Sequence, residues 1–102
     1  MKYLVTKTQQ KLIADNMGKI IKSHFSDSPW ICDVVAYPTD TDEDEAIFDI
    51  YIHLKLSQFK QYNESGQKSI ALSIKHKVQG FVEMWFTLKS DDFFIGTLLK
   101  DC

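Results

Sequence analysis

Apolar and polar residues follow a helical period in the first quarter of this 102-residue chain. Residues 6–9 fit the capping-box pattern that starts a helix, and residues 26–29 contain a proline that ends it. Between them the apolar stripe consists of Leu12, Ile13, Met17, Ile20, Ile21 and Phe25. The pattern predicts a long amphipathic helix. Gly18 costs this helix about 1 kcal/mol relative to alanine, so we expect a close approach to a neighbouring element there.

A different period follows, because residues 46–56 alternate strictly between apolar and polar. Phe48, Ile50, Ile52, Leu54 and Leu56 point one way, and Asp49, Tyr51, His53 and Lys55 point the other. Alternation of this length is typical of a strand with one face on a core and one nearer water. Residues 30–37 are rich in β-branched and aromatic side chains. We therefore predict a hairpin of two strands, with the segment between them at its tip.

Residues 69–78 fit either of two structures. A helix would place Ile70, Ile74, Val78 and Phe81 on one stripe but leaves Leu72 off it, whereas a strand accommodates every apolar residue. We favour the strand, followed by a Gln79-Gly80 hairpin turn and a fourth strand over residues 81–89. Residues 90–92 then resemble a helix N-cap with acids in the first turn, which predicts a short terminal helix.

The predicted fold class is therefore α+β, in the order α–β–β–β–β–α. The long N-terminal helix packs on a four-stranded, mostly antiparallel sheet, and the short C-terminal helix closes an edge or the other face. Residues 1–102 are expected to form a single domain, since the length and the 44% apolar content suit one unaided core.

Charge is distributed unevenly along the chain. Residues 26–50 contain eight carboxylates and no lysine, while all twelve basic residues are lysines elsewhere. Five of the acids lie at the predicted hairpin tip, namely Asp40, Asp42, Glu43, Asp44 and Glu45. Such a cluster can speed encounter with a basic surface. A solvated tip is the simpler alternative, and an EF-hand-like cation site is disfavoured because Glu45 and Tyr51 replace the required glycine and glutamate.

Aromatic residues on the less buried sheet face are the second candidate contact. If the first helix covers the other face, Tyr37, Tyr51, Phe81 and Trp85 lie together beside lysines. Tyrosine and tryptophan supply rigid contact area at interfaces. The alternative is that the terminal helix folds over them. A homodimer through this face is a special case of the first interpretation.

Chemistry-bearing residues are sparse. Asp49, Tyr51 and His53 share a strand face, so a small enzyme or ligand binder is one alternative function. A weak RNA contact through lysines and aromatics is another. No Gly-rich phosphate loop, nucleophile elbow or zinc-protease signature is present. We expect no catalytic residue, no cofactor and no metal site.

The remaining composition indicates which partners and which cellular location to expect. Arginine is absent and the pI is near 5.8, which argues against direct DNA binding. Cys32 and Cys102 lack a framework spacing and are expected to be free thiols in a cytoplasmic protein without membrane segments. The sequence thus predicts a small non-enzymatic binding module, an inhibitor or adaptor, whose acidic tip engages a basic partner such as a nucleic-acid-binding protein.

Overall fold

A computed structural model describes residues 7–38 and 48–102 of the chain. Its elements are α1 (Lys7–His24), β1 (Ile31–Pro38), β2 (Phe48–Lys55), α2 (Leu56–Phe59), α3 (Glu64–Trp85) and β3 (Phe93–Lys100). The described strands form one three-stranded sheet in the order β1-β2-β3. β1 pairs antiparallel with β2, and β3 pairs parallel with β2. The fold is therefore α+β with a mixed sheet.

The N-terminal helix packs on the sheet through part of the predicted stripe, at Met17 and Ile21, and through Ala14, which was not predicted. Ala14, Met17 and Ile21 are fully buried against the core. A Cβ at Gly18 would lie 3.1 Å from the carbonyl oxygen of Val34, so the glycine lets the α1 backbone approach β1. The predicted close approach is confirmed. Leu12 and Ile13, which were expected on the stripe, are instead exposed.

The β1–β2 hairpin is also confirmed. Pro38 pairs with Phe48, and the side chains of β2 alternate between buried and half-buried along its whole length. The acidic residues Asp40, Asp42, Glu43, Asp44 and Glu45 lie outside the described residues. Their segment is attached to the sheet at Pro38 and Phe48.

The prediction of a strand at residues 69–78 and a fourth strand at residues 81–89 is wrong. Residues 69–78 and 81–85 belong to the single helix α3, which buries Ile74, Val78 and Val82, and residues 86–89 follow it in neither helix nor strand. The side-chain oxygen of Asn63 accepts a hydrogen bond of 2.7 Å from the Gly66 N–H and caps this helix. Leu72 is simply left exposed, so the one residue that favoured a strand does not contribute to the core.

The predicted terminal helix is also wrong, because residues 93–100 form β3. The Asp92 carboxylate accepts a 2.8 Å hydrogen bond from the Lys89 N–H, and the Asp92 N–H donates to the Lys89 carbonyl. The acids at residues 90–92 therefore stabilise a turn into a strand. A parallel strand beside β2 needs a crossover connection, and α2 and α3 supply it.

Cys32 and Cys102 are joined by a disulfide, with their Cα atoms 6.4 Å apart. The expectation of free thiols is wrong, because a sequence separation of 70 residues gives no local sign of the pairing. The prediction of a cytoplasmic location loses the support that it drew from free thiols, since disulfides persist mainly in oxidising compartments. Within residues 7–38 and 48–102, no helix is long and apolar enough to cross a membrane.

Candidate functional site

One face of the sheet is covered and the other is not. α1 packs on β1 and α3 packs beside β3, and their buried residues share one cluster with Val34, Ile50 and Ile95. Side chains that alternate with these three point to the opposite side of the sheet. We call this side the open face. It carries Asp33, Val35, Tyr37, Asp49, Tyr51, His53, Lys55, Phe94, Gly96 and Leu98.

Three rings form a continuous aromatic cluster on the open face. The ring centroids of Tyr37 and Tyr51 are 6.2 Å apart, and those of Tyr51 and Phe94 are 6.4 Å apart. Both contacts have the tilted or edge geometry that aromatic pairs prefer. Tyr37 and Phe94 are more than half exposed. The aromatic cluster (Tyr37, Tyr51 and Phe94) therefore presents rigid contact surface to solvent.

A carboxylate lies within this cluster. Asp49 pairs with Tyr37 on one side and with Phe94 on the other, and it points to the same face. Ring faces attract cations, and a carboxylate forms charge-assisted hydrogen bonds with lysine and arginine. The Lys75 Nζ already lies 5.9 Å from the centroid of the Phe94 ring. The combination of rings and carboxylate suits a basic side chain.

Gly96 leaves room for the rings of Tyr51 and Phe94. A Cβ at this position would lie 3.1 Å from the Cδ1 of Tyr51 and 3.2 Å from the Cε2 of Phe94. Because Gly96 has no side chain, the rings of Tyr51 and Phe94 can lie against the backbone of β3. The sequence offers a glycine inside an apolar run as the only local signal of this arrangement.

The structure separates the aromatic residues that were predicted to lie together. Tyr37 and Tyr51 are neighbours, but Trp85 is the last residue of α3 and stacks on Phe81 at 5.6 Å. Phe81 in turn stacks on His24 at 4.0 Å. This second stack belongs to the helix layer and not to the open face. Phe94, which takes the third place in the cluster, was missed because its segment was predicted to be a helix.

The alternative catalytic set lies on the open face but is not assembled. Asp49, Tyr51 and His53 occupy successive same-face positions of β2, and such positions are about 6.6 Å apart along a strand. The Nδ1 atom of His53 is buried and has no hydrogen-bond partner within the described part of the chain. Tyr51 contacts rings on both sides and is not directed at His53 alone.

Asp33 is the neighbour of His53 across the strands and is already paired. Burial acts to raise the pKa of its carboxyl, but the hydrogen bond from the Val34 N–H and the nearby Lys22 ammonium outweigh burial and lower that pKa. The Lys22 Nζ lies 3.4 Å from the Asp33 Oδ1. Asp33 is therefore held as a carboxylate by its own fold contacts.

Charge varies along the open face. One end of the open face, at Tyr37 and Asp49, is next to Pro38 and Phe48, which flank the acidic segment 39–47. The other end carries Lys55, which lies opposite Lys100 in the register of β2 with β3. The Asp49 carboxylate therefore lies at the aromatic end of the open face, and the Lys55 ammonium lies at the other end.

A separate groove lies on the helix side of the molecule, between the α1–β1 connection and α3. Its volume is about 510 Å³, which is in the range of small-molecule sites. Its polar rim includes Asp27, Ser69 and Lys77, and Trp30 and Ile70 form part of its apolar lining. The groove contains none of the residues that the sequence predicted for binding.

Comparison with known proteins found no match among protein-family models, curated proteins or solved structures. Among residues 7–38 and 48–102, no group of three or more His, Cys, Asp or Glu side chains is placed to hold a metal ion. The function proposed below therefore depends on the geometry of the open face.

Proposed function

We propose that this chain is a small non-enzymatic protein-binding module that holds a basic segment of a partner against its open face. The observation that carries the proposal is the exposed aromatic cluster with Asp49 between two of its rings, on a sheet face that the described helices do not cover. An inhibitor or adaptor that occupies a basic surface would use such a face.

The rings would supply most of the affinity. Aromatic side chains are enriched among the residues that dominate interface energetics, where truncation typically costs about 2 kcal/mol or more. Tyr37, Tyr51 and Phe94 support one another through ring contacts, so little side-chain freedom is lost on binding. A lysine or arginine placed over a desolvated ring gains about 2 kcal/mol in addition.

The acidic segment would raise the association rate and orient the basic partner. Its five clustered carboxylates join the sheet at Pro38 and Phe48, at the same end as the aromatic cluster. Charges outside the contact mainly raise the association rate, and salt screens them over about 10 Å. Substituting all five with Asn or Gln should lower the association rate about tenfold and leave the dissociation rate unchanged. An unchanged association rate would show that the acidic segment does not contribute to association.

Asp49 also favours protein over RNA as the partner. A carboxylate between two rings repels a phosphate backbone, whereas a stacking platform for RNA needs positive charge around its rings. Of the lysines near this face, Lys55 and Lys100 of the sheet lie at the opposite end, and Lys75 reaches the Phe94 ring from α3. The predicted RNA contact also depended on Trp85, which lies on the helix layer.

The direct test is binding of a synthetic 12-residue peptide that alternates Arg with Thr, measured by fluorescence anisotropy at low and high salt. A peptide of the same length that alternates Glu with Thr is the charge control. We expect the basic peptide to bind and the acidic peptide not to bind. Tyr37→Ala should weaken binding of the basic peptide at least tenfold, which corresponds to about 1.4 kcal/mol.

Trp85→Ala is the matched variant control. Trp85 is 62% exposed and Tyr37 is 54% exposed, so both substitutions remove an accessible ring, but only Tyr37 lies on the open face. Trp85→Ala should leave the affinity unchanged. Equal binding of the two peptides, or equal losses from the two variants, would contradict the proposal.

A further inference from the structure

The groove on the helix side of the molecule has two walls. One wall is the connection between α1 and β1, and the other is the side of α3 that faces this connection. The apolar lining consists of Phe25, Trp30, Ile31, Ile70 and Ile74. The volume of about 510 Å³ lies in the range of sites that hold small organic ligands.

The connection wall is held in place by hydrogen bonds and ring contacts. The Trp30 N–H donates to the Ser28 Oγ at 3.3 Å, and the Trp30 carbonyl accepts from the Lys55 N–H at 2.8 Å. The Trp30 ring contacts the rings of Phe59 and Tyr62, at centroid distances of 5.4 and 5.6 Å. This wall is therefore preformed, so few of its side chains need to be ordered when a ligand binds.

The α3 wall combines polar and apolar residues. Ser69, Ser73 and Lys77 follow one another at intervals of four residues, which places them on one side of the helix. Ile70 and Ile74 are next to this row and pack against the core. Hydroxyl and ammonium groups beside an apolar surface are suitable donors for a ligand carboxylate.

Two opposite charges line the groove without neutralising each other. Asp27 belongs to the connection wall and Lys77 belongs to the α3 wall. Within residues 7–38 and 48–102, neither side chain forms an ion pair, whereas Lys68 of the same helix is paired with Glu64. Opposite charges on two walls complement a ligand that carries both an ammonium and a carboxylate.

We propose that the groove binds an apolar zwitterion of about the size of a dipeptide. The ligand carboxylate lies at Lys77, with the Ser73 hydroxyl as a second donor, and the ligand ammonium lies at Asp27. The apolar side chains of the ligand pack against Trp30 and Ile70. The groove contains no residue of the open face, so either proposal can fail without the other.

The pair of charges disfavours other ligands of the same size. An apolar carboxylate without an amine would leave Asp27 against an uncharged group, and an apolar amine would do the same to Lys77. Covering a charge without pairing it costs affinity. An internal segment of a longer peptide carries neither terminal charge, so the groove selects short free peptides.

The test follows binding of the dipeptide Phe-Leu to the intact, oxidised, ¹⁵N-labelled protein. The indole N–H resonance of Trp30 reports on the groove, that of Trp85 reports on the helix layer, and Trp85→Phe assigns the two. A ligand of about 20 non-hydrogen atoms binds at typical efficiency with a Kd of about 40 μM. We expect a saturable shift at Trp30 with a Kd between about 40 μM and 1 mM, and no shift at Trp85.

Two modified dipeptides test the ligand charges. N-acetyl-Phe-Leu lacks the ammonium and Phe-Leu amide lacks the carboxylate, so each should bind at least tenfold more weakly than Phe-Leu. Asp27→Asn should weaken binding of Phe-Leu at least fivefold but leave binding of N-acetyl-Phe-Leu unchanged. Lys77→Met should weaken Phe-Leu in the same way and leave Phe-Leu amide unchanged. In each case the missing protein charge is the one that faced the missing ligand charge.

Lys68→Met is the matched control. Lys68 and Lys77 are both exposed lysines of α3, but Lys68 does not line the groove. This variant should bind Phe-Leu normally. Because Asp27 and Lys77 are exposed, their substitutions should leave the fold intact, and circular dichroism checks this.

Three results would overturn the proposal. They are the absence of a saturable shift at Trp30 up to about 10 mM Phe-Leu, equal binding of the three ligands, and equal losses from Lys68→Met and Lys77→Met. Shifts at Tyr37 and Phe94 in place of Trp30 would also overturn it, because they would assign the dipeptide to the open face.

Discussion

The two faces of β2 have the same backbone and hydrogen-bond ladder but different roles. On the covered face Phe48, Ile50, Ile52 and Leu54 are at most 3% exposed. On the open face the alternating residues are only half-buried and include a carboxylate, a tyrosine, a histidine and a lysine. The covered face contributes the apolar burial that stabilises the fold. The open face is free to carry side chains selected for contact, so substitutions on the two faces should separate stability from binding.

The largest expected effect is on the covered face. Ile52→Ala removes a side chain that is 0% exposed and leaves a cavity between the sheet and the helices. Such substitutions cost about 2–5 kcal/mol of unfolding free energy. Urea denaturation followed by circular dichroism measures the loss. A loss below about 1 kcal/mol would show that the covered face is not the stabilising one.

A second, smaller effect compares two glycines that lie on opposite faces. A side chain at Gly18 meets the backbone of β1, whereas one at Gly96 meets the rings of Tyr51 and Phe94. Backbone cannot rotate away but rings can, so Gly18→Val should cost about 2 kcal/mol of unfolding free energy. Gly96→Val should cost under about 1 kcal/mol, within the range of better tolerated substitutions, and should weaken peptide binding instead. The reverse order of stabilities would contradict the comparison.

A third substitution addresses the open face alone. Tyr37→Ala should change the unfolding free energy by less than about 1 kcal/mol, because the ring is more than half exposed. The same variant should lose most of its affinity for the basic peptide. Thermal unfolding and anisotropy measured on one sample test both statements, and a large loss of stability would assign Tyr37 to the core.

The smallest expected effect is the pH dependence contributed by Asp33 on the open face. Its pKa in the folded chain lies below the ordinary value of 3.8. A carboxyl with a lowered folded pKa stabilises the fold above its unfolded pKa, and this contribution is lost as the pH falls through the folded pKa. Asp33→Asn should therefore flatten the decline of the unfolding free energy below about pH 4. An identical decline in both proteins would show that Asp33 contributes nothing.

Local patterns were sufficient to predict half of the open face. The alternation in β2 and the neighbouring strand β1 place Tyr37 and Tyr51 on one side, and the structure brings them together. Phe94 could not be placed in this way, because its position depends on a parallel pairing with β2 across a connection of almost forty residues. Trp85 was placed wrongly on the open face because residues 81–89 were predicted to be a strand, whereas Trp85 is the last residue of α3.

The failure at α3 has a physical cause. Residues 69–78 satisfy a period of two as well as a period of 3.6, and only Leu72 distinguishes them. A helix can leave one leucine exposed at little cost, so a single residue is weak evidence for a strand. The Asn63 cap and the absence of proline over the 22 residues were the stronger signals. At β3, the residues that suit a helix N-cap serve a turn equally well.

The most direct test of the account maps where a basic peptide binds. Titrating the uniformly ¹⁵N-labelled protein with the alternating Arg-Thr peptide and following its amide resonances locates the contact residue by residue. The account predicts the largest shifts at Tyr37, Asp49, Tyr51, Phe94 and Gly96, with little change along α3. Shifts confined to residues 39–47, or centred on Trp85 and the helix layer, would contradict it.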